Sequence, residues 1–257
     1  MPNTDRLFLC MKISQSTWIK SLQEGNAWFG MINNYILQAE RSGNNEQGDR
    51  YEGVFARCSK DSPLITFNSF RFGNDLEVVD DGDYVLLRRR SSRKVCAFCM
   101  YGVRYSDLTQ FGDVDSTGSE PSVTFRYDIE QKMFDNFLQD GTDPTSVTGF
   151  YCSAGHLIDA LEKALISGGY RWKRECVQYD IDPESTFYFE PTSSYPELWH
   201  KRKDLSYQHE VRIVIYKDPS PQKGICIKYP PLTTHSGNMG QGQLYIEGTA
   251  ILSPCND

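Results

Sequence analysis

No run of about 18 apolar residues, the length that spans a bilayer as a helix, occurs in this chain of 257 residues. Its opening, MPNTDRLFLCMK, lacks the basic, apolar and small-residue zones of a secretory leader, so a cytoplasmic protein with no membrane partner is expected. A basic excess is missing as well. The 27 Lys and Arg stand against 34 Asp and Glu, and the formal charge of −7 argues against general nucleic-acid binding by phosphate neutralisation, although one local basic face remains compatible with it. G-x-G-x-x-G, the P-loop, G-x-S-x-G and H-E-x-x-H are all absent. Rossmann dehydrogenases, nucleotide triphosphatases, serine hydrolases and zincins are therefore not expected.

The eight cysteines are scattered through hydrophobic runs and do not form the dense frame of a disulfide-stapled secreted protein, so free thiols are expected. Cys96 and Cys99 make a C-x-x-C inside VCAFCMYGV, which reads as a buried strand. With no second such pair and only four dispersed histidines, they read as buried small hydrophobes, with no metal called for.

What is present is core material: 39% hydrophobic and 13% aromatic residues, enough for a single domain over residues 1–257. LFLCMKIS reads as a strand, STWIKSLQEG as a short helix closed by Gly25, AWFGMI as a strand and NNYILQAERSG as a helix. NNEQGDRYEG is a polar, glycine-punctuated loop. VFARCS, LITFNSFRF, LEVV, YVLLRRR and VCAFCMYGV form a β-rich series, and residues 106–124 form a surface loop. Two helices follow, IEQKMFDNFLQ and AGHLIDALEKALISGG, and the chain returns to strands in KRECVQYDI, TFYFE, EVRIVIY, KGICIKY and QLYIEGTAIL. The order predicts an α+β fold with two small, mostly antiparallel sheets and flanking helices.

The segment WHKRKDLSYQHEVRIVIY, from Trp199, carries the most chemical information. Alternation from Gln208 sets Gln208, Glu210 and Arg212 on one face, while Val211, Ile213 and Ile215 take the core face. Glu210 is thus expected on the solvent side, a charged acceptor beside a neutral amide. A weak surface pair of Glu210 with Arg212 is the plainer reading. Basic clusters occur at Arg88-Arg89-Arg90 with Arg93 and Lys94, at Arg171-Lys173-Arg174 and at Lys201-Arg202-Lys203; each alone reads as a solvated loop or a strand guard. In the loop, Asp49 and Glu52 flank Arg50 and Tyr51, a pair that suits a metal or basic group, or simple turn chemistry.

The pattern Trp199-x(7)-Tyr207-Gln208-x-Glu210-x-Arg212-Ile213 resembles the late Q/E-x-E strand of mono-ADP-ribosyltransferases, and of a broad bacterial family with a late Y-x-x-E-x-R motif. The opening order of strand, short helix and acidic loop is similar too. The resemblance implies an ADP-ribosyltransferase-like fold, NAD as the ADP-ribose donor, Glu210 as the catalytic carboxylate and Gln208 as the acceptor-facing residue. Tyr207 joins the cofactor-binding candidates, while Lys201, Arg202 and Lys203 would hold the acceptor, a nucleic acid in preference to protein. A toxin or phage-defence effector, neutralised by a partner antitoxin protein, is also implied by the resemblance. The chain departs from the family in two motifs. Where the first strand should offer Arg or His it offers Lys12, with Arg6 further off, and in place of Ser-Thr-Ser it has Phe67-Asn68-Ser69-Phe70, so that Lys12 and Ser69 are the NAD-contacting candidates. The competing expectations are a metal-dependent nuclease or phosphodiesterase using Asp49 and Glu52, and a binding module without activity.

Overall fold

A computed structural model describes residues 6–42, 48–112, 115, 122–135, 143, 146–216, 224–234, 236–240 and 243–251. The chain opens with β1 (Leu7–Gln15), α1 (Ser16–Gln23), β2 (Asn26–Met31) and α2 (Ile32–Ser42), in the order the sequence pattern predicts. After the loop come β3 (Val54–Ser59) and α3 (Pro63–Phe72). The helix corrects an expectation. LITFNSFRF has the aromatic and β-branched residues of a strand, but the Ser62 hydroxyl accepts from Leu64 N at 3.3 Å and Pro63 occupies the first turn, where its missing N–H costs nothing.

Next in order are β4 (Leu76–Asp81), β5 (Tyr84–Arg89), β6 (Cys96–Arg104), β7 (Gln110–Phe111), β8 (Ser122–Asp128) and α4 (Gln131–Asp135). The remainder of the expected helix past Asp135, and residues 113, 114 and 116–121 of the expected loop, lie outside the described residues, while the described part of that loop carries β7 and the start of β8. Then follow β9 (Val147–Ser153), α5 (Ala154–Ser167), β10 (Trp172–Cys176), β11 (Gln178–Ile181), β12 (Phe187–Tyr188) and β13 (His200–Arg202). The last strands are β14 (Glu210–Ile215), β15 (Gly224–Lys228), β16 (Ser236–Met239) and β17 (Tyr245–Ile251). The architecture is α+β, with several mostly antiparallel sheets and a few helices.

The chain divides into two compact units, neither continuous in sequence. One comprises the described parts of 1–23, 101–159 and 232–257. In it β1 pairs antiparallel with β9 and with the end of β6, β16 pairs with β9, and β17, β8 and β7 make a separate antiparallel sheet. The other unit comprises 24–100 and 160–231. Here β15 pairs with β2, β2 with the start of β6, and β10 with β14, while β12, β3, β5 and β4 form a four-stranded antiparallel sheet and β11 runs parallel to β13.

Apolar clusters hold the second unit, and two of them receive α3 and α2. Phe55, Ala56, Cys58, Leu76, Val85 and Leu87 receive Leu64, Ile65 and Phe72 of α3. Ile32 and Ile36 of α2 pack with Val95, Ala97, Leu198, Trp199 and Val214. Each large side chain so buried contributes roughly 1.5–3 kcal/mol, and together they fix α2 and β14 around the polar groups described below. Among the described residues the cysteines are free, and Cys96 and Cys99, three apart on β6, fall on opposite faces. Burial pushes the Cys96 thiol up to about 11, which suits an inert core residue. Cys255 lies outside the described residues. No described helix is long and apolar enough to cross a membrane.

Candidate functional site

Strand β14 lies between β10 and β6, which pair its two edges, and every residue from Glu210 to Ile215 is buried: the face that carries Glu210, Arg212 and Val214 lies under Ile32 and Ile36 of α2, Leu198, Lys201 and the Glu52 loop. This overturns the expectation of a solvent face. Glu210 is 6% exposed and Arg212 1%, and charges so placed must find partners inside the protein. Gln208 is not on the strand. It closes a 3-10 turn, Lys203–Gln208, after which His209 takes a left-handed conformation (φ 42) and redirects the chain into β14. The kink, rather than strand alternation, sets Gln208 and Glu210 on the same ligand.

That ligand is the Lys201 ammonium, which donates to Glu210 Oε2 at 2.6 Å and to Gln208 Oε1 at 3.1 Å. The other Glu210 oxygen accepts from Arg212 Nε at 2.7 Å. Arg212 reaches onward to the loop. Its Nη1 and Nη2 grip the two oxygens of Glu52 at 2.5 and 3.1 Å, and Nη1 also donates to the Leu198 carbonyl at 2.5 Å. The backbone N–H of Glu210 donates to the Tyr179 hydroxyl at 2.8 Å. A buried chain of alternating charge results: Glu52, Arg212, Glu210, Lys201. Burial alone would push the Glu210 carboxyl up, but Arg212 and Lys201 outweigh it and hold that carboxyl well below the usual carboxylate range. The same pairing keeps Lys201 and Arg212 charged, against the desolvation that would lower them.

The loop is held from both ends by glycine. A Cβ on Gly48 would stand 2.2 Å from the Tyr35 carbonyl oxygen and 2.5 Å from Ala39 N, so only glycine lets the loop lie on α2 there. Gly53 has φ +69, which returns the chain into β3. Between them Asp49 makes the turn, its Oδ1 accepting from Tyr51 N at 2.9 Å and its carbonyl from Glu52 N at 3.0 Å. Arg202 Nε donates to the same Oδ1 at 3.3 Å and its Nη1 pairs with Asp204 at 3.0 Å. Asp49 Oδ2 is buried with no hydrogen-bond partner among the described residues. Burial first, and then the neighbouring Glu52 charge, raise the Asp49 carboxyl, against the lowering effect of Arg202 and Lys201.

Of the candidate residues, the structure brings Gln208, Glu210 and Lys201 into direct contact. Arg202 stands with Asp49, and Tyr207 is buried directly before Gln208. Ser69 lies on the exposed side of α3, not on a strand, and donates to the Ile65 carbonyl of its own helix at 2.7 Å. Lys12 is on β1 and, like Arg6, belongs to the other unit. Lys201-Arg202-Lys203 is not the open basic loop it was expected to be: Lys201 is buried, Arg202 is paired with two carboxylates, and Lys203 alone of the three is exposed. Members of the other basic clusters are likewise paired with carboxylates. Arg89 binds Glu197, Arg93 binds Glu77, and Arg174 binds Glu162.

Sequence reading missed the Arg212–Glu52 clamp, which joins residues 160 positions apart. The only signal for it was the loop's acid pair. Both oxygens of Glu52 are engaged by Arg212, and among the described residues no group of three or more His, Cys, Asp or Glu is placed to hold a metal ion. The loop carboxylates act as anchors for basic side chains of β13 and β14. Neither the known protein families, nor the curated proteins, nor the solved structures give a match to this chain.

Proposed function

We propose that the chain transfers ADP-ribose from NAD to a macromolecular acceptor, with Glu210 and Gln208 at the centre of the site. One observation carries this reading: Glu210 is held as a permanent anion in a water-poor setting with a neutral amide oxygen beside it, both turned toward a cation. NAD presents the matching charge. Its nicotinamide is a pyridinium joined to ribose; when the C1′–N bond breaks, the bonding pair leaves with neutral nicotinamide and positive charge develops at C1′. A fixed carboxylate that needs no reorientation stabilises such charge far better than a solvated one. The acceptor's nucleophile then bonds to C1′ and releases its proton.

The mostly antiparallel sheets and flanking helices suit an ADP-ribosyltransferase-like fold, as the late Tyr-Gln-x-Glu-x-Arg pattern implies. A nucleic acid remains the acceptor of choice, with Lys203 as the exposed cation nearest to the site in sequence, and an effector of this kind would be neutralised by a partner protein. The test is incubation with NAD labelled in its adenylate part together with cellular RNA, DNA and protein. Release of nicotinamide with label in a nuclease-sensitive product is expected. No release of nicotinamide by folded protein with any acceptor would overturn the proposal.

A further inference from the structure

The Lys201 ammonium occupies the place where a cationic substrate would have to come. Its seat is formed by Glu210 Oε2 at 2.6 Å and Gln208 Oε1 at 3.1 Å. Exposure shows which end of the buried chain faces outward: Glu52 and Arg212 are 1% exposed at the side chain, Glu210 7% and Lys201 11%. Lys201 is therefore the outermost member. It can also leave without breaking the anchor of the loop, because Arg212 would still bind both Glu52 and Glu210.

Charge counting then defines what can replace it. Glu52, Arg212, Glu210 and Lys201 sum to zero, whereas without Lys201 the remaining three carry one uncompensated negative charge away from bulk water. Such a site strongly favours a monovalent cation. We propose that Glu210 and Gln208 form a cation seat that the chain itself plugs at rest with Lys201, and that the pyridinium-ribose end of NAD enters by displacing this side chain. The proposal deepens the reading of Glu210 and Gln208 as the NAD-facing pair and rests on it for the identity of the ligand. Lys201 is on this view a self-inhibitory side chain. The flexible stem of lysine suits a removable plug, because it carries a compact charge that can swing out to water, which a bidentate arginine would do less readily.

Two measurements test it. Lys201→Ala deletes the atoms of propylammonium, so propylammonium chloride should raise the melting temperature of the variant saturably above sodium chloride of equal ionic strength, and should leave the wild type unmoved. If the variant does not fold alone, propylammonium should restore its folding. A variant indifferent to propylammonium in both respects overturns the seat, whatever NAD does. In the wild-type protein, Lys201 should resist an amine-acylating reagent at rest and become reactive when NAD is added, as read by mass spectrometry. Where Lys201→Ala folds, its apparent Kd for NAD should fall on the order of tenfold, because a blocked resting state weakens apparent affinity by the fraction that is open. Lys201 remaining protected under saturating, bound NAD would overturn the plug and leave the transferase reading standing. Failure of NAD to bind at all would overturn the transferase reading, and propylammonium would still decide the seat.

Discussion

At the residue scale, each carboxylate of the site has its own role. Glu52 neutralises Arg212 through two hydrogen bonds in the interior, so Glu52→Ala should cost about 3–5 kcal/mol, the usual penalty for stranding a buried charge, and urea unfolding will measure it. A loss within the scatter of surface substitutions would mean that the clamp is not formed in solution. Asp49 gives a pH signature of the opposite sign to Glu210. The raised carboxyl of Asp49 contributes stability that is complete below its unfolded value of about 3.9 and is lost as pH rises through the folded value. Glu210, held low, contributes stability that is present above its unfolded value and lost only in stronger acid. Asp49→Asn, neutral at every pH, should therefore gain in melting temperature relative to wild type as pH rises from 4 toward neutrality. A difference that stays flat or reverses would show that Asp49 is not burdened by its burial.

The element scale explains what is and is not legible in the sequence. Strands β1, β3, β5 and β14 and helices α2 and α5 follow from periodicity and capping, because their own residues decide them. Helix α3 escapes such reading because its strand-like composition outweighs two local signals, Ser62 and Pro63, that start a helix. The candidate strand is legible, but its environment is not. Alternation assumes one wet face, and β14 has none because α2, Leu198, Lys201 and the Glu52 loop pack over the face that carries Glu210 and Arg212, a fact that belongs to partners distant in sequence. Alternation also puts Gln208 on the right side for the wrong reason, since nothing in the sequence announces the left-handed turn at His209.

The loop is the element that ties both halves of the site together, and Gly48 sets its approach to α2. Gly48→Ala should destabilise by roughly 1–3 kcal/mol, as an overpacked contact does, because the backbone atoms that it would strike cannot rotate away. The same shift would move Asp49 and Glu52 off Arg202 and Arg212. Unchanged stability would place the loop away from α2.

For the whole molecule, charge is the controlling quantity. An excess of acid over base, with Lys201 and Arg202 consumed internally, leaves little cationic surface at the site. Transfer to nucleic acid should then depend only shallowly on salt, and Lys203→Ala should remove about one phosphate contact, a change in slope of about 0.9 in log K against log salt. A steep dependence untouched by Lys203→Ala would locate the acceptor surface elsewhere. The central claim concerns Glu210, and Glu210→Gln tests it poorly because it strands Lys201 and Arg212 in the interior. Glu210→Asp keeps the charge and withdraws it by the length of one methylene. The most direct measurement is therefore nicotinamide release from NAD by wild type and by folded Glu210→Asp: release by wild type and a fall of about a hundredfold in the variant are expected, since misplacement by about 1 Å costs that much. Equal release by the two proteins, or none by the wild type, would contradict the assignment of Glu210.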